Sequence, residues 1–137
     1  MFLQHGLNPD LNGIVKTNSI ALGTDAVTGF SSPHGALFPL VCRLNHACRP
    51  NARYVWREDL GKELVFAMRP IAKGEEITIS YIGKYANLAV RQKELYERFN
   101  FTCSCAMCTE HTVQQDICMS EIQELYEKVP YLSLIHI

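Results

Sequence analysis

Three thiols within six residues constrain this chain more than any other feature. Cys103, Cys105 and Cys108 stand in Cys103-Ser-Cys-Ala-Met-Cys108, so the backbone that carries them must form one tight loop. Three thiolates on one loop leave a tetrahedral zinc shell one ligand short. The fourth must come from elsewhere, and Cys48, inside Arg43-Leu-Asn-His-Ala-Cys-Arg-Pro-Asn51, is the natural candidate.

Six cysteines could instead form a disulfide framework. The start, Met1-Phe-Leu-Gln-His-Gly6, has no basic segment followed by an apolar stretch, so a secretory signal is not expected. Close-set thiols without such a signal point to a reducing compartment and to metal. Cys42 and Cys118 are left over and read as buried structural thiols.

The 137 residues fit one domain, or part of one, and 47% hydrophobic content supports a packed core. A formal net charge of −1 gives no global field for nucleic acid or anionic lipid. There is also no basic patch around the cysteine loop, so direct nucleic-acid binding is not expected. No apolar run approaches the length of a membrane-spanning helix.

Residues 1–17 are weakly patterned, with turn signals at Asn8-Pro9-Asp10 and Asn12-Gly13. Asn18 to Leu22 reads as extended, and Gly29 to Gly35 as a loop. Ala36 to Val41 is apolar, with a period that does not decide between helix and strand. Ala52 to Arg57 and Glu63 to Arg69 form a hairpin signal across Glu58 to Lys62. After Pro70, the alternation from Glu76 to Tyr81 predicts a third strand. Asn87 can cap a helix reaching Phe99, with Leu88, Leu95 and Phe99 on one face and Glu94 and Arg98 paired on another. A last helix is predicted over Val113 to Val129, its stripe Cys118, Ile122, Leu125 and Val129, stopped by Pro130. Its apolar face needs a partner, and residues 131–137 read as a truncation point or a non-native tail. His5, His34, His111 and His136 show no ligand spacing and read as surface or loop residues.

Three of these segments together resemble a known family. Arg43-Leu-Asn-His-Ala-Cys-Arg-Pro-Asn51 resembles the Asn-His-x-Cys-x-Pro-Asn motif of SET-domain lysine methyltransferases. Gly74-Glu-Glu-Ile-Thr-Ile-Ser-Tyr81 is similar to their second signature, which ends in the active-site tyrosine. Cys103-x-Cys-x-x-Cys108 is similar to their post-SET zinc loop. The Phe101-Thr-Cys103 lead-in is nearest to the SET-and-MYND branch and its SET-only relatives. The resemblance covers roughly residues 15–110. Nothing before Asn18 resembles the family's Gly-rich segment, so residues 1–100 are expected to be the C-terminal portion of a SET domain. Residues 101–110 would be the zinc loop and 111–137 a C-terminal helix and tail.

The resemblance implies a β-rich α+β fold of small sheets, with a knot-like C-terminal threading. It implies two cofactors, S-adenosyl-L-methionine and one structural zinc ion held by Cys48, Cys103, Cys105 and Cys108. Asn45 and His46 would hold the methyl donor. Asn18 would be a further donor contact, although alone it reads as a turn residue. Phe101 would stack on the adenine, a contact worth about 1–3 kcal/mol, or else serve as a core aromatic. Ile20 and Phe99 would line the lysine channel; for Phe99, core packing is the simpler account. Tyr81 would orient the reacting amine, which must lose its proton before attack.

The implied activity is methyl transfer to a lysine of a protein or peptide partner, histone or not, inside the nucleus or cytoplasm. A zinc-stabilised SET-like interaction module without turnover is the alternative. Neither a membrane nor an oligomeric state is implied.

Overall fold

Asp10 opens the described chain as a helix cap, its carboxylate accepting the Gly13 amide at 2.6 Å. The protein is described by a computed structural model for residues 10–23, 34–82 and 86–128. The readings for His5, Asn8-Pro9, Gly29 to Pro33, Val129, Pro130 and residues 131–137, His136 included, lie outside those residues.

The elements follow as α1 (Leu11–Asn18), β1 (Ile20–Ala21), β2 (Gly35–Ala36), β3 (Asn45–His46), β4 (Ala52–Arg57), β5 (Lys62–Ala67), β6 (Thr78–Ile79), α2 (Leu88–Phe99), α3 (Ala106–Thr109) and α4 (Val113–Lys128). Short 3₁₀ turns lie at Val41–Arg43 and Glu58–Leu60. The described strands make three two-stranded sheets: β1 with β2, β3 with β6, and β4 with β5. This is the α+β arrangement of small sheets expected from the sequence.

Two local readings change. The weakly patterned start contains α1, which the Asn12-Gly13 turn signal masked. The helix forms because Asp10 caps it and Thr17 and Asn18 bond back to the carbonyls of Gly13 and Ile14, both at 2.8 Å. The expected strand Glu76 to Tyr81 shrinks to Thr78–Ile79. Side chains take its other backbone groups. The Asn51 amide nitrogen donates to the Glu76 carbonyl at 2.9 Å, and the Tyr81 amide donates to His46 Nδ1 at 3.0 Å.

The hairpin forms as read. Its register runs from Ala52↔Ala67 to Arg57↔Lys62. Gly61 closes the turn with φ 58°, a left-handed conformation that favours glycine. The pairing of β3 with β6 is parallel, Asn45 opposite Thr78 and His46 opposite Ile79. It lays the first sequence motif directly beside the second.

Two hydrophobic clusters hold these pieces. Ile20, Val41, Ala52 and Ile79 form one, with Phe38, Cys42, Leu44 and Tyr81 packed against it. Ile82, Leu95 and Cys103 form the other, flanked by Cys48, Tyr81, Phe99, Phe101, Cys105 and Cys108. Tyr81 belongs to both, so its ring joins the sheet core to the cysteine loop. α2 runs as predicted, capped by Asn87 and ended by Asn100 at φ 55°. Its Leu95 is fully buried, and Arg98 pairs with Glu94 at 2.7 Å.

Cys118 corrects a reading. It is exposed on α4, not buried. The described residues leave Ile117, Ile122 and Leu125 of that helix exposed too, so nothing there buries the thiol. Cys42 is partly buried and donates its S–H to the Asn18 carbonyl at 3.0 Å.

Asn51 anchors the loop between β5 and β6. It is 2% exposed, and its oxygen also accepts the Thr78 amide at 2.9 Å. Glu75 takes the Asn51 amide at 2.9 Å, the Ala72 amide at 3.1 Å and the Arg69 guanidinium. These donors, Arg69 foremost, pull its carboxyl down to about 2. The folded value lies below the unfolded one, so this stabilisation is complete above about pH 4.5 and is lost as pH falls toward 2. Glu75→Gln is therefore expected to lower the melting temperature at pH 7 and to flatten its decline between pH 4.5 and 2. Melting curves across that range check it; an unchanged acid slope would contradict it.

Candidate active site and metal centre

Four sulfurs converge. The Sγ atoms of Cys48, Cys103, Cys105 and Cys108 all lie within 4.8 Å of one another. Cys48 comes to them from the loop after β3, Cys103 and Cys105 from the segment between α2 and α3, and Cys108 from α3 itself. The closest approach described is Cys48 to Cys108 at 3.5 Å, with Cys105 to Cys108 at 3.8 Å and Cys48 to Cys103 at 3.9 Å. None of these is a disulfide, and all six cysteines are free.

The backbone holds the cluster in place. The Cys48 amide points at Cys105 Sγ at 3.4 Å. Gln92 of α2 clamps Cys103 from both sides, donating to its carbonyl at 2.7 Å and accepting its amide at 2.8 Å. The Cys108 amide donates to the Cys105 carbonyl at 2.7 Å, forming the tight turn that the spacing demands. As thiols the four are mismatched: burial and neighbouring sulfurs push Cys48 far up and Cys103 up to about 11. Burial also opposes ionisation of Cys105, but the Cys48 amide and adjacent thiols outweigh it and bring Cys105 to about 7. Four soft donors on one point, with no disulfide, fit a tetrahedral thiophilic cation.

Above the cluster stands a group of rings. Tyr81 lies 5.0 Å from Phe99, 5.3 Å from His46 and 6.4 Å from Phe101, centroid to centroid. Phe101 is 6.1 Å from His46. The Tyr81 hydroxyl donates to the Leu44 carbonyl at 2.7 Å. Burial, then Cys42 and Glu76, raise its pKa, so it stays a neutral phenol at physiological pH. His46 Nδ1 accepts the Tyr81 amide, and its Nε2 faces Cys48 Sγ at 3.3 Å. Burial and the Arg91 charge lower His46 to about 4, consistent with a neutral ring.

Asn45 presents an anomaly. Its amide nitrogen donates to Glu76, but its Oδ1 is buried without a hydrogen-bond partner. A buried acceptor left open beside the ring group is the type of atom a ligand's donor satisfies.

The structure therefore brings Asn45, His46, Phe99, Phe101 and Tyr81 into one neighbourhood with the four cysteines. Ile20 joins through the sheet core that Tyr81 also contacts. Asn18 stands apart in its bonding: its amide is engaged with Ile14 of its own helix. His111 is half-buried and pairs with Asp116 at 3.1 Å, outside the sulfur cluster. His34 is exposed.

Sequence reasoning missed Glu76, Gln92, Asp116 and Arg91. Asp116 accepts the Leu88 amide at 2.9 Å and so ties the start of α4 to the start of α2. Arg91 did leave a trace, because it fills the gap in the apolar face between Leu88 and Leu95. It is 4% exposed.

The family model described as the SET domain matches residues 8–82, and the chain belongs to that family. Histone-lysine N-methyltransferase ASHR1 of Arabidopsis thaliana is 45% identical over 95 residues, covering 69% of this chain and 19% of that protein. Histone-lysine N-methyltransferase set5 of Schizosaccharomyces pombe is 41% identical over 75 residues, 55% of this chain and 24% of its own length. Histone-lysine N-methyltransferase SMYD3 of Homo sapiens is 32% identical over 103 residues, 70% of this chain and 23% of its own. The chain thus spans about a fifth to a quarter of the length of these relatives.

Proposed function

We propose that the complete protein to which this chain belongs transfers a methyl group from S-adenosyl-L-methionine to a lysine side chain of a protein, a histone being one candidate. The observation that carries this reading is the parallel pairing of β3 with β6, which sets Asn45 and His46 opposite Thr78 and Ile79, with the His46 ring between the Tyr81 amide and Cys48 Sγ. The names of the three relatives given above, each a histone-lysine N-methyltransferase, support the substrate class.

When bound, the donor supplies an electrophilic methyl on a sulfonium centre. Its ammonium is a fitting partner for the open Asn45 Oδ1, and the Phe101 ring offers a face for a base. The remaining work falls to the chain's own groups. The Tyr81 hydroxyl donates to the Leu44 carbonyl, and a hydroxyl oxygen is by its chemistry also an acceptor, the role toward the incoming amine in this reading. Its raised pKa argues against a role as proton acceptor, so Tyr81 orients rather than deprotonates. The apolar walls of Ile20 and Phe99 disfavour an ammonium and assist loss of the lysine proton. Alignment and preorganised polarity are the main contributions expected.

Zinc on Cys48, Cys103, Cys105 and Cys108 would be structural, since all four positions of its shell are filled by the protein. It would hold residues 101–110, with Phe101, against the Asn45–His46 strand. Action in the nucleus or cytoplasm follows from the same reading. Among the described residues, no helix is long and apolar enough to cross a membrane.

Calorimetry with S-adenosyl-L-methionine on the full-length protein tests the reading, together with mass spectrometry of a lysine peptide library. Saturable one-to-one binding and single-methyl mass increments are expected. Intact folding with no donor binding would overturn it in favour of an interaction module.

A further inference from the structure

The sulfur cluster has a charge problem that the four cysteines cannot solve themselves. A divalent cation with four thiolates carries a formal charge of about −2. Burying that charge in a medium of low dielectric is costly unless a counter-charge lies close. The surroundings include one. Arg91 is 4% exposed on the buried face of α2, one turn before Leu95, which packs with Cys103 against Cys48, Cys105 and Cys108. The nearby Cys108 and Cys48 favour its charged form. Its Nη1 donates to the Ala86 carbonyl, which fixes the side chain from behind. Its Nε is buried without a partner.

The same facts read from the arginine's side are as telling. A buried guanidinium needs an anion. Among the described residues, no carboxylate lies within ion-pairing distance of Arg91; the ion pairs use Arg57, Arg69, Lys93, Arg98, His111 and Lys128 instead. Asp116 feels its charge only at longer range. Neutral thiols would leave Arg91 buried and uncompensated, whereas thiolates on a metal give it the anion it lacks. The cluster and the arginine each make burial of the other tolerable.

We propose that Arg91 is a positioning residue of the metal centre: an outer-sphere cation that halves the charge of the thiolate shell and thereby favours its metal-loaded form. This rests on the zinc reading above and deepens it. Gln92, the next residue, clamps the Cys103 backbone, so a single turn of α2 sets both the geometry and the charge of the centre.

The test uses the full-length protein with zinc, and then with cobalt(II) as a spectroscopic substitute. Arg91→Met should weaken zinc binding by about 10- to 100-fold in chelator competition, the range for loss of an outer-sphere partner. The sulfur-to-cobalt charge-transfer band should move to lower energy, because removing the cation raises the energy of the sulfur lone pairs. Arg91→Lys, which keeps the charge, should restore much of both. If Arg91→Met does not fold, Arg91→Gln carries the comparison as a neutral polar side chain. Wild-type affinity and an unshifted band in the neutral variant of a zinc-loaded protein would overturn the role of Arg91 alone. A folded wild-type protein that holds no metal would overturn the zinc reading beneath it.

Discussion

On the zinc reading proposed above, replacing Cys48 by Ser is expected to strip the protein of its metal. Cys48 is the sole thiol that reaches the cluster from the Asn45–His46 side, and the other three sit on one short loop. Three thiolates and a hydroxyl hold zinc poorly, so affinity should fall by more than the roughly 100-fold that marks loss of an outer-sphere partner. The consequence is structural, because the metal is then no longer available to pin residues 101–110 to the strand. The Cys48 amide loses its fixed approach to Cys105, and Phe101 loses its station by His46. Zinc content should drop from one equivalent toward none, and amide exchange across residues 101–110 should quicken. A chelator should depress the melting temperature of the wild type and leave the variant almost unmoved. Cys42→Ser is the control, since Cys42 bonds the Asn18 carbonyl and stands outside the cluster. One full zinc equivalent retained by Cys48→Ser would show that another residue supplies the fourth ligand.

Tyr81→Phe should separate chemistry from binding. The ring would keep its packing against Phe99 and His46, so the site should stay assembled. What disappears is the hydroxyl and its bond to the Leu44 carbonyl, a stability cost of about 1 kcal/mol. In the full-length protein, the proposed methyl transfer should slow by about 10²–10³-fold, the cost of losing one preorganised polar group at a reacting centre. Donor affinity should change less than about twofold, because Asn45 and Phe101 carry that role in the proposed mechanism. Single-turnover rates and calorimetry check the two halves. Equal rates in wild type and variant would remove Tyr81 from the reaction.

Much of this was legible before any coordinates. Cysteine spacing is local chemistry: three thiols that close must share a loop, and a tetrahedral shell then needs one more. The hairpin and α2 follow from local signals too, as alternation, an Asn cap and a left-handed Asn100 act within a few residues. The start of the chain misled because Asn12-Gly13 reads as a turn, while the Asp10 cap and two side-chain bonds to the backbone stabilise a helix there. Cys118 misled for a different reason: a stripe predicts a face but cannot say whether anything covers it.

The sequence by itself thus determined which groups were available: four thiols for a metal, an Asn-His pair, and a strand-end tyrosine. Only the tertiary structure decided how they meet. The β3–β6 pairing and the aim of Tyr81 at Leu44 join residues about 30 or more positions apart, and burial in the fold is what leaves the Asn45 acceptor open. Arg91 is the clearest case. Along the chain it is one more basic residue in a helix, and its proposed role comes from the cysteine cluster that folding packs against the same face of α2. Charge compensation acts through space, and no pattern of neighbours in the chain encodes which buried cation will face which buried anion.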